Sequence, residues 1–229
     1  MLDAAERLLA ASPEHDISTR AVCDAVGVGQ PTLYRLFGDK AGLLSALVDY
    51  GFDRYIQRKM ALTFTENPVD DLRRDWDDHI AFALENSALY RLIFSPMLSN
   101  VPAAPRSIFG LLVHTLERCA EVGSMLVPPV QAAQAILSAN IGVALALLVR
   151  PEIYTDPGLS DRVRDAIFAS CIAEPAHYAK DSSVPRSAIQ LAAQLRSAPA
   201  SQLGDEEQRL LLKWLDNLHS PVGEIIGPA

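Results

Sequence analysis

Apolar residues recur along most of this chain with the spacing of helices. Leu2, Ala5, Leu8 and Leu9 mark one stripe over Leu2 to Ala11, the i, i+3, i+4 pattern of an amphipathic helix. Ser12-Pro13 breaks it. Ile17-Ser18 then reads as a helix start, with Ser18 able to accept from first-turn amides and Ile17 able to staple onto Val22. Val22 and Val26 share a face with Ala25 beside them, and Gly27 ends that helix. Val28 plugs the turn, Pro31 falls in the first turn of the next helix, and Leu33, Leu36 and Phe37 form its inner line. Asp39 caps a longer helix from Lys40 to about Leu62, with Leu43, Leu44, Leu47, Val48 and Phe52 inward.

Beyond the Asn67-Pro68 break the same periodicity predicts a helix over Val69–Asn86, with Leu72, Trp76, Ile80, Ala83 and Leu84 on one side. A shorter helix follows over Ala88–Leu98, and another over Ser107–Val122. From Pro128-Pro129 to Val149 the chain is apolar nearly all round, so that helix must be covered on every side, at a centre or an interface. Val163, Ile167 and Cys171 mark a helix over Leu159 to about Tyr178. Composition then shifts towards Ser, Pro and Ala. Two more helices are expected there, Val184–Ser197 and Asp205–His219, the last with a stripe of Leu210, Leu211, Trp214, Leu215 and Leu218. No strand pattern or internal repeat is visible, so the fold class is all-α. The expected division is a three-helix head over residues 1–46, a larger helical body over 47–180, and a C-terminal helical hairpin over 181–229.

Composition narrows the function classes. Hydrophobic residues make up 49% of 229, enough for a buried core. The longest apolar run, Ile141 to Val149, falls short of a membrane span, so no membrane partner is expected. Asp3 and Glu6 interrupt any signal peptide, which points to the cytoplasm. Cys23, Cys119 and Cys171 have no metal-ligand spacing and read as buried free thiols. A net charge of −8 argues against a non-specific nucleic-acid coat protein. Residues 1–50 hold four basic and seven acidic side chains. That balance opposes DNA binding, but Arg20, Arg35 and Lys40 cluster on the side of the turn that would face a ligand.

A helix, a Gly turn and a short second helix form a helix-turn-helix, whose second helix enters the major groove of DNA. The candidate DNA contacts are Thr19, Arg20, Gln30, Pro31, Thr32, Tyr34, Arg35 and Lys40. Gln pairs with adenine edges, and Arg with guanine edges or phosphate. Lys40 sits in the first turn of a helix, where a cation opposes the macrodipole unless an anion such as phosphate lies there. Taken one by one, these residues are ordinary solvent-facing side chains; their register after the Gly turn is what carries the DNA reading.

The run V-G-V-G-Q-P-T-L-Y-R-L-F-G-D-K-A-G-L-L, Val26 to Leu44, with T-L-Y-x-x-F-x-x-K at its centre, resembles the signature of the tetracycline-repressor (TetR) family of bacterial regulators. Leu2–Ala11 resembles that family's first helix. The resemblance covers residues 1–46. It implies an all-helical homodimer whose heads bind a double-stranded DNA operator and whose bodies bind a small-molecule effector. It implies a repressor released from its operator by that effector, with no cofactor and no enzymatic activity. It also places most of the dimer interface on the two helices starting near Pro128 and Leu159. The chain departs from the family at Gln30, where many members have Lys, and at Gly42, where an acidic residue often completes a capping box. Met1 also stands at the first helix, without the short basic arm common in the family.

Trp76, His79, Phe82, Tyr90, Phe94, Met97, His114 and Asn140 are the candidate effector contacts, and their character suits a mainly apolar ligand. His114 falls near the inward side of its helix, either as core or as pocket lining. Asp71, Asp75 and His79 share a helix stripe that could hold a metal, but an exposed acidic face beside Arg73 and Arg74 accounts for it better. No catalytic motif such as H-E-x-x-H or G-x-S-x-G is present. The alternative to a DNA-binding regulator is a helical sensor or interaction protein that has lost DNA binding.

Overall fold

Eleven helices account for about four in five of the residues described by the computed structural model, which are 1–12, 16–61, 63–93, 104–173, 183–198 and 203–219. In order they are α1 (Leu2–Ala11), α2 (Thr19–Val26), α3 (Gln30–Phe37), α4 (Lys40–Met60), α5 (Pro68–Glu85), α6 (Ser87–Leu92), α7 (Ala104–Glu121), α8 (Pro129–Val149), α9 (Leu159–Cys171), α10 (Val184–Ser197) and α11 (Asp205–His219). Among the described residues the chain forms no strand, only one isolated bridge between Met125 and Ile172. The helices gather into two compact units. One comprises Met1–Phe64, Trp76–Gly110 and Gly142–Thr155; the other comprises Thr65–Asp75, Leu111–Ile141 and Asp156–Ala229.

In the first unit, the local chemistry of the helix ends sets the chain path. Ser18 accepts a hydrogen bond from the Ala21 amide, and Gly27 takes the left-handed conformation (φ 69°) that closes α2. The Gly42 amide donates to Asp39 Oδ1 at 2.7 Å, which caps α4. Gly42 has a further reason to be glycine: a Cβ there would lie 2.0 Å from the Phe37 carbonyl oxygen at the end of α3. The loss of the family's capping box thus coincides with a close approach of two helix ends. Ala4, Ala5 and Leu9 of α1, Val22 of α2, Leu33 of α3 and Leu43, Leu44, Leu47, Val48 and Phe52 of α4 are all buried. Two polar clasps fasten α1 to α4: Tyr50 donates to Asp3, and Arg54 pairs with Glu6. Arg54 also lies over the Tyr50 ring, 5.1 Å from its centroid. Gly51 lets α4 meet α6 closely, since a Cβ there would strike Leu89. Arg91 of α6 donates to the Leu148 carbonyl in the last turn of α8.

The second unit is held by a buried carboxylate and by the hairpin. Asp71, on the first turn of α5, accepts from Arg118 of α7 at 2.6 Å, from Thr65 Oγ1 at 2.7 Å, and from Arg74. Its residue is only 3% exposed. The helix stripe read as an exposed acidic face therefore contains a buried structural anion, because Arg118, 47 residues away in sequence, reaches it. Gly123 (φ 74°) ends α7, and its carbonyl accepts from both Nε and Nη2 of Arg186, at 2.9 and 2.8 Å. Gln190 and Gln194 donate to the Glu121 carbonyl. The α10–α11 hairpin, whose own core is Ala188, Ala192, Leu195 and Leu215, is thereby fastened by α10 to the C-terminal end of α7.

Several expectations change. Helix α9 ends at Cys171, short of Tyr178, because Ile172 turns extended and residues 171 and 173 pair with 124 and 126: Leu126 N–H donates to Cys171 O, and Ala173 N–H to Ser124 O. The segment 174–180 lies outside the described residues, as do residues 94–98 at the end of the expected Ala88–Leu98 helix. Leu84, Leu210, Trp214 and Leu218 are exposed and not inward. Helix α8 is long and apolar enough to cross a membrane by length and composition, with a mean hydropathy of 2.0 over its best window. Counting uninterrupted runs missed this, because Gln134, Ser138 and Asn140 break the run while barely lowering the average. The helix is also not covered all round: Val130 and Val149 are exposed, and Leu137, Ile141 and Leu145 are half-buried.

Candidate nucleic-acid interface

Helix α3 is eight residues long, and its two sides are chemically distinct. Leu33 is fully buried and Phe37, one turn on, is partly so. Gln30, Pro31, Tyr34 and Arg35 are exposed and Thr32 is half-exposed. Gln30 and Tyr34 follow each other at i, i+4, as do Pro31 and Arg35, so two adjacent rows run down the open side. Leu36 was expected on the inner line but is 60% exposed. It stands three residues after Leu33 and one before Phe37, which turns it about 60° from the first and about 100° from the second. Of the two residues at the start of α2, Thr19 is half-buried and Arg20 exposed. Arg20 Nε lies 3.9 Å from Asp24 on the same helix.

Lys40 opens α4 beside the end of α3, as the sequence implied, but it already has an anion. Its Nζ lies 2.7 Å from both carboxylate oxygens of Asp16. The Asp16 carboxylate is fixed in turn by its own backbone neighbour, the Ile17 amide, at 2.8 Å. The Lys40 hydrogen bond holds the Asp16 carboxyl below its ordinary value of 3.8. The unfavourable position of a cation in a helix's first turn is thus offset within the protein, and Lys40 alone no longer requires a phosphate. Sequence inspection missed Asp16, since nothing in its spacing from Lys40, 24 residues on, marks it as a partner.

The candidate effector contacts separate. In the first unit, His79 and Phe82 of α5 and Tyr90 of α6 meet Phe52 and Tyr55 of α4. Tyr55 and Phe82 stack with centroids 4.4 Å apart, and Phe52 meets Phe82 edge-on at 4.9 Å. His79 sits between two phenols, Nε2 at 2.8 Å from the Tyr90 hydroxyl and Nδ1 at 3.4 Å from that of Tyr55. Burial pushes the His79 imidazole down to about 3, with the Lys59 charge adding to it, and raises the Tyr90 phenol. Trp76 is buried on the same helix. Asn140 and His114 belong to the second unit; Asn140 is buried, whereas His114 is exposed, and the expectation of an inward position fails. Phe94 and Met97 lie outside the described residues. Asp71 and Asp75 belong to the second unit and His79 to the first; among the described residues no group of three metal-ligating side chains forms. A cavity of about 670 Å³ in the second unit is lined by Val69, Arg73, Val122, Arg164, Phe168 and Ile172, none of them among the candidate effector contacts.

Residues 1–47 match the family model of the bacterial regulatory proteins of the tetR family. No curated protein sequence matches the chain. Among solved structures, the chain is similar to one from Shewanella sp. PV-4 assigned to the tetR family of transcription regulators, at 16% identity and a TM-score of 0.58, over 76% of this chain and 96% of that one. At that identity the likeness concerns the fold, and the matched head supplies the DNA-binding class.

Proposed function

We propose that this chain, a DNA-binding transcription regulator by its TetR-type head and TetR-like helical fold, is a homodimeric repressor released from its operator by a small, mainly apolar effector. The observation that carries the DNA part is the two-sided α3: Leu33 anchors it inward while Gln30, Pro31, Tyr34 and Arg35 stand outward in two adjacent rows. That is the arrangement by which a recognition helix lays its polar side on base edges and phosphates. Thr19, Arg20 and Thr32 flank it, and Lys40 supplies a cation at the rim. Tyr34 and Lys40 serve the backbone, and Gln30 and Arg35 are the residues equipped to read bases.

The acidic balance of the head makes one copy a weak binder, so two linked heads are needed. Helix α8 supports the pairing, because its apolar sides are only partly covered within one chain. A second copy of α8 and α9 laid against them would complete the burial. The effector reading rests on the aromatic cluster around His79, apolar except for the phenols and the imidazole. An effector shifts the population only if it binds the released state better.

The test is a titration of the purified protein against the duplex upstream of its own coding sequence and against random duplex. Wild type is expected to prefer the upstream duplex. Tyr34→Ala is expected to weaken binding to both duplexes, and Arg35→Ala to erode the preference. Equal binding by all three proteins would refute the assignment of α3. The net acidity of the head favours a second reading, a sensor without DNA, and absence of binding by a folded dimer at low salt would select it.

A further inference from the structure

Lys40 is the one proposed phosphate contact whose charge is already engaged by both oxygens of a carboxylate. Its Nζ sits 2.7 Å from Oδ1 and from Oδ2 of Asp16. The pair is partly screened from water, with the lysine side chain 34% and the aspartate 45% exposed. The carboxylate is held in place by more than the lysine. Oδ1 accepts from the Ile17 amide at 2.8 Å, and the Asp16 amide points back to Ser12 Oγ at 3.3 Å. Asp16 therefore presents its charge from a fixed backbone position just ahead of the Ser18 cap of α2, and the flexible partner is Lys40.

A carboxylate and a phosphodiester make the same demand on an ammonium group: both are compact anions offering two acceptor oxygens. We propose that Asp16 is a built-in competitor for the DNA phosphate at Lys40, an affinity-setting residue that keeps each head a weak binder. This rests on the DNA-binding reading above. On free protein the ammonium is neutralised by Asp16. On DNA it must leave that carboxylate or share it, and the carboxylate left behind faces the phosphates at a distance well within the screening length of physiological salt. Two consequences follow. Contact with DNA gains less at Lys40 than an unengaged lysine would give. Little net counterion release accompanies it, because a freed Asp16 recruits a cation as the phosphate loses one.

Both consequences can be measured on the full chain with a defined duplex, the fragment upstream of its own coding sequence, and with random duplex as a second probe. Asp16→Asn is nearly isosteric and keeps an oxygen for the Ile17 amide. It is expected to raise affinity for both duplexes about threefold per head, the scale of one exposed ion pair, so about tenfold for a dimer with both heads engaged. The log–log salt slope should steepen by about 0.9 per head as Lys40 becomes a full phosphate contact. In a Lys40→Ala background the same Asp16→Asn change should gain less than about half of that factor, because the competition needs the lysine. Thermal unfolding of each variant shows that the head remains folded. Binding by wild type with no gain in Asp16→Asn, or a gain undiminished by Lys40→Ala, would overturn the competition and leave the DNA-binding reading intact. No binding by any of the four proteins at low salt would overturn the DNA-binding reading and this inference with it.

Discussion

Lowering the pH from 7 to 5 should remove about 2 kcal/mol of folding stability through His79 alone. The imidazole is buried between two phenols, and burial pushes it down to about 3 from an ordinary value of 6.5. Between those two values the unfolded chain holds a proton that the folded chain lacks, so stability falls as pH falls. The loss begins near pH 6.5 and continues towards pH 3, approaching a limiting slope of about 1.4 kcal/mol per pH unit. Asp3, Asp16 and Asp71 shift in the same direction, but from an ordinary 3.8. Their contributions are present above that value and are lost only as pH falls through it, so they do not enter the window from 7 to 5. The assay is urea unfolding followed by circular dichroism at pH 7 and pH 5, at one protein concentration, for wild type and His79→Gln. Glutamine keeps a donor and an acceptor but does not titrate. Wild type should lose about 2 kcal/mol more than the variant over this interval. An equal loss in the two proteins would mean that His79 takes up its proton in the fold, and the burial argument would be wrong.

Three further outcomes follow from packing. Leu33→Ala, at a fully buried position, should cost the head about 2–5 kcal/mol and abolish DNA binding, read by unfolding and titration; an unchanged unfolding midpoint would refute its core role. Gly42→Ala should destabilise by about 1–3 kcal/mol, although helix propensity alone favours alanine by roughly 1 kcal/mol, because the new Cβ meets the Phe37 carbonyl. A gain in stability would show that α3 and α4 do not approach so closely. Asp71→Ala strips Arg118 of its buried carboxylate and should cost about 3 kcal/mol, the low end for such pairs since Arg118 keeps the Thr65 carbonyl and some solvent; a loss under about 1 kcal/mol in urea unfolding would contradict the role given to Asp71.

Much of the head was legible because its signals are local. Ser18, Gly27, Pro31 and Asp39 act within three or four residues of themselves, and each does in the structure what its position implies. What stayed hidden is set by residues far apart in sequence. Asp71 reads as one of five aspartates along α5 until Arg118 reaches it, and Asp16 as loop polarity until Lys40 does. Periodicity likewise nominated Leu36, Leu84 and His114 as inward, but a stripe gives only the direction of a side chain. Whether a neighbouring helix covers that direction is decided by the packing. The end of α9 at Cys171 has a related cause: backbone pairing of 171 and 173 with 124 and 126 overrode a continuing helical pattern there.

Helix α4 links the two parts of the proposed mechanism in a way that can be reasoned from contacts within one unit. Lys40 stands at its start and Tyr55 fifteen residues on, about 22 Å along the axis. Phe52 and Tyr55 form one wall of the aromatic cluster; Phe82, His79 and Tyr90 form the other. These rings are in contact, so a molecule that lodged among them would have to part the walls, and α4 is one of them. The Asp3–Tyr50 and Glu6–Arg54 clasps make α1 follow α4, and the Phe37–Gly42 approach does the same for α3. A displacement of α4 would therefore carry the head with it and not bend the helix beneath it. Such a shift changes DNA occupancy only in proportion to the effector's preference for the parted state. Reversing a 99:1 population needs about 5.5 kcal/mol of that preference. A head kept weak by Asp16 lowers the demand, because two modest half-site contacts lose most of their joint affinity once one head is out of register.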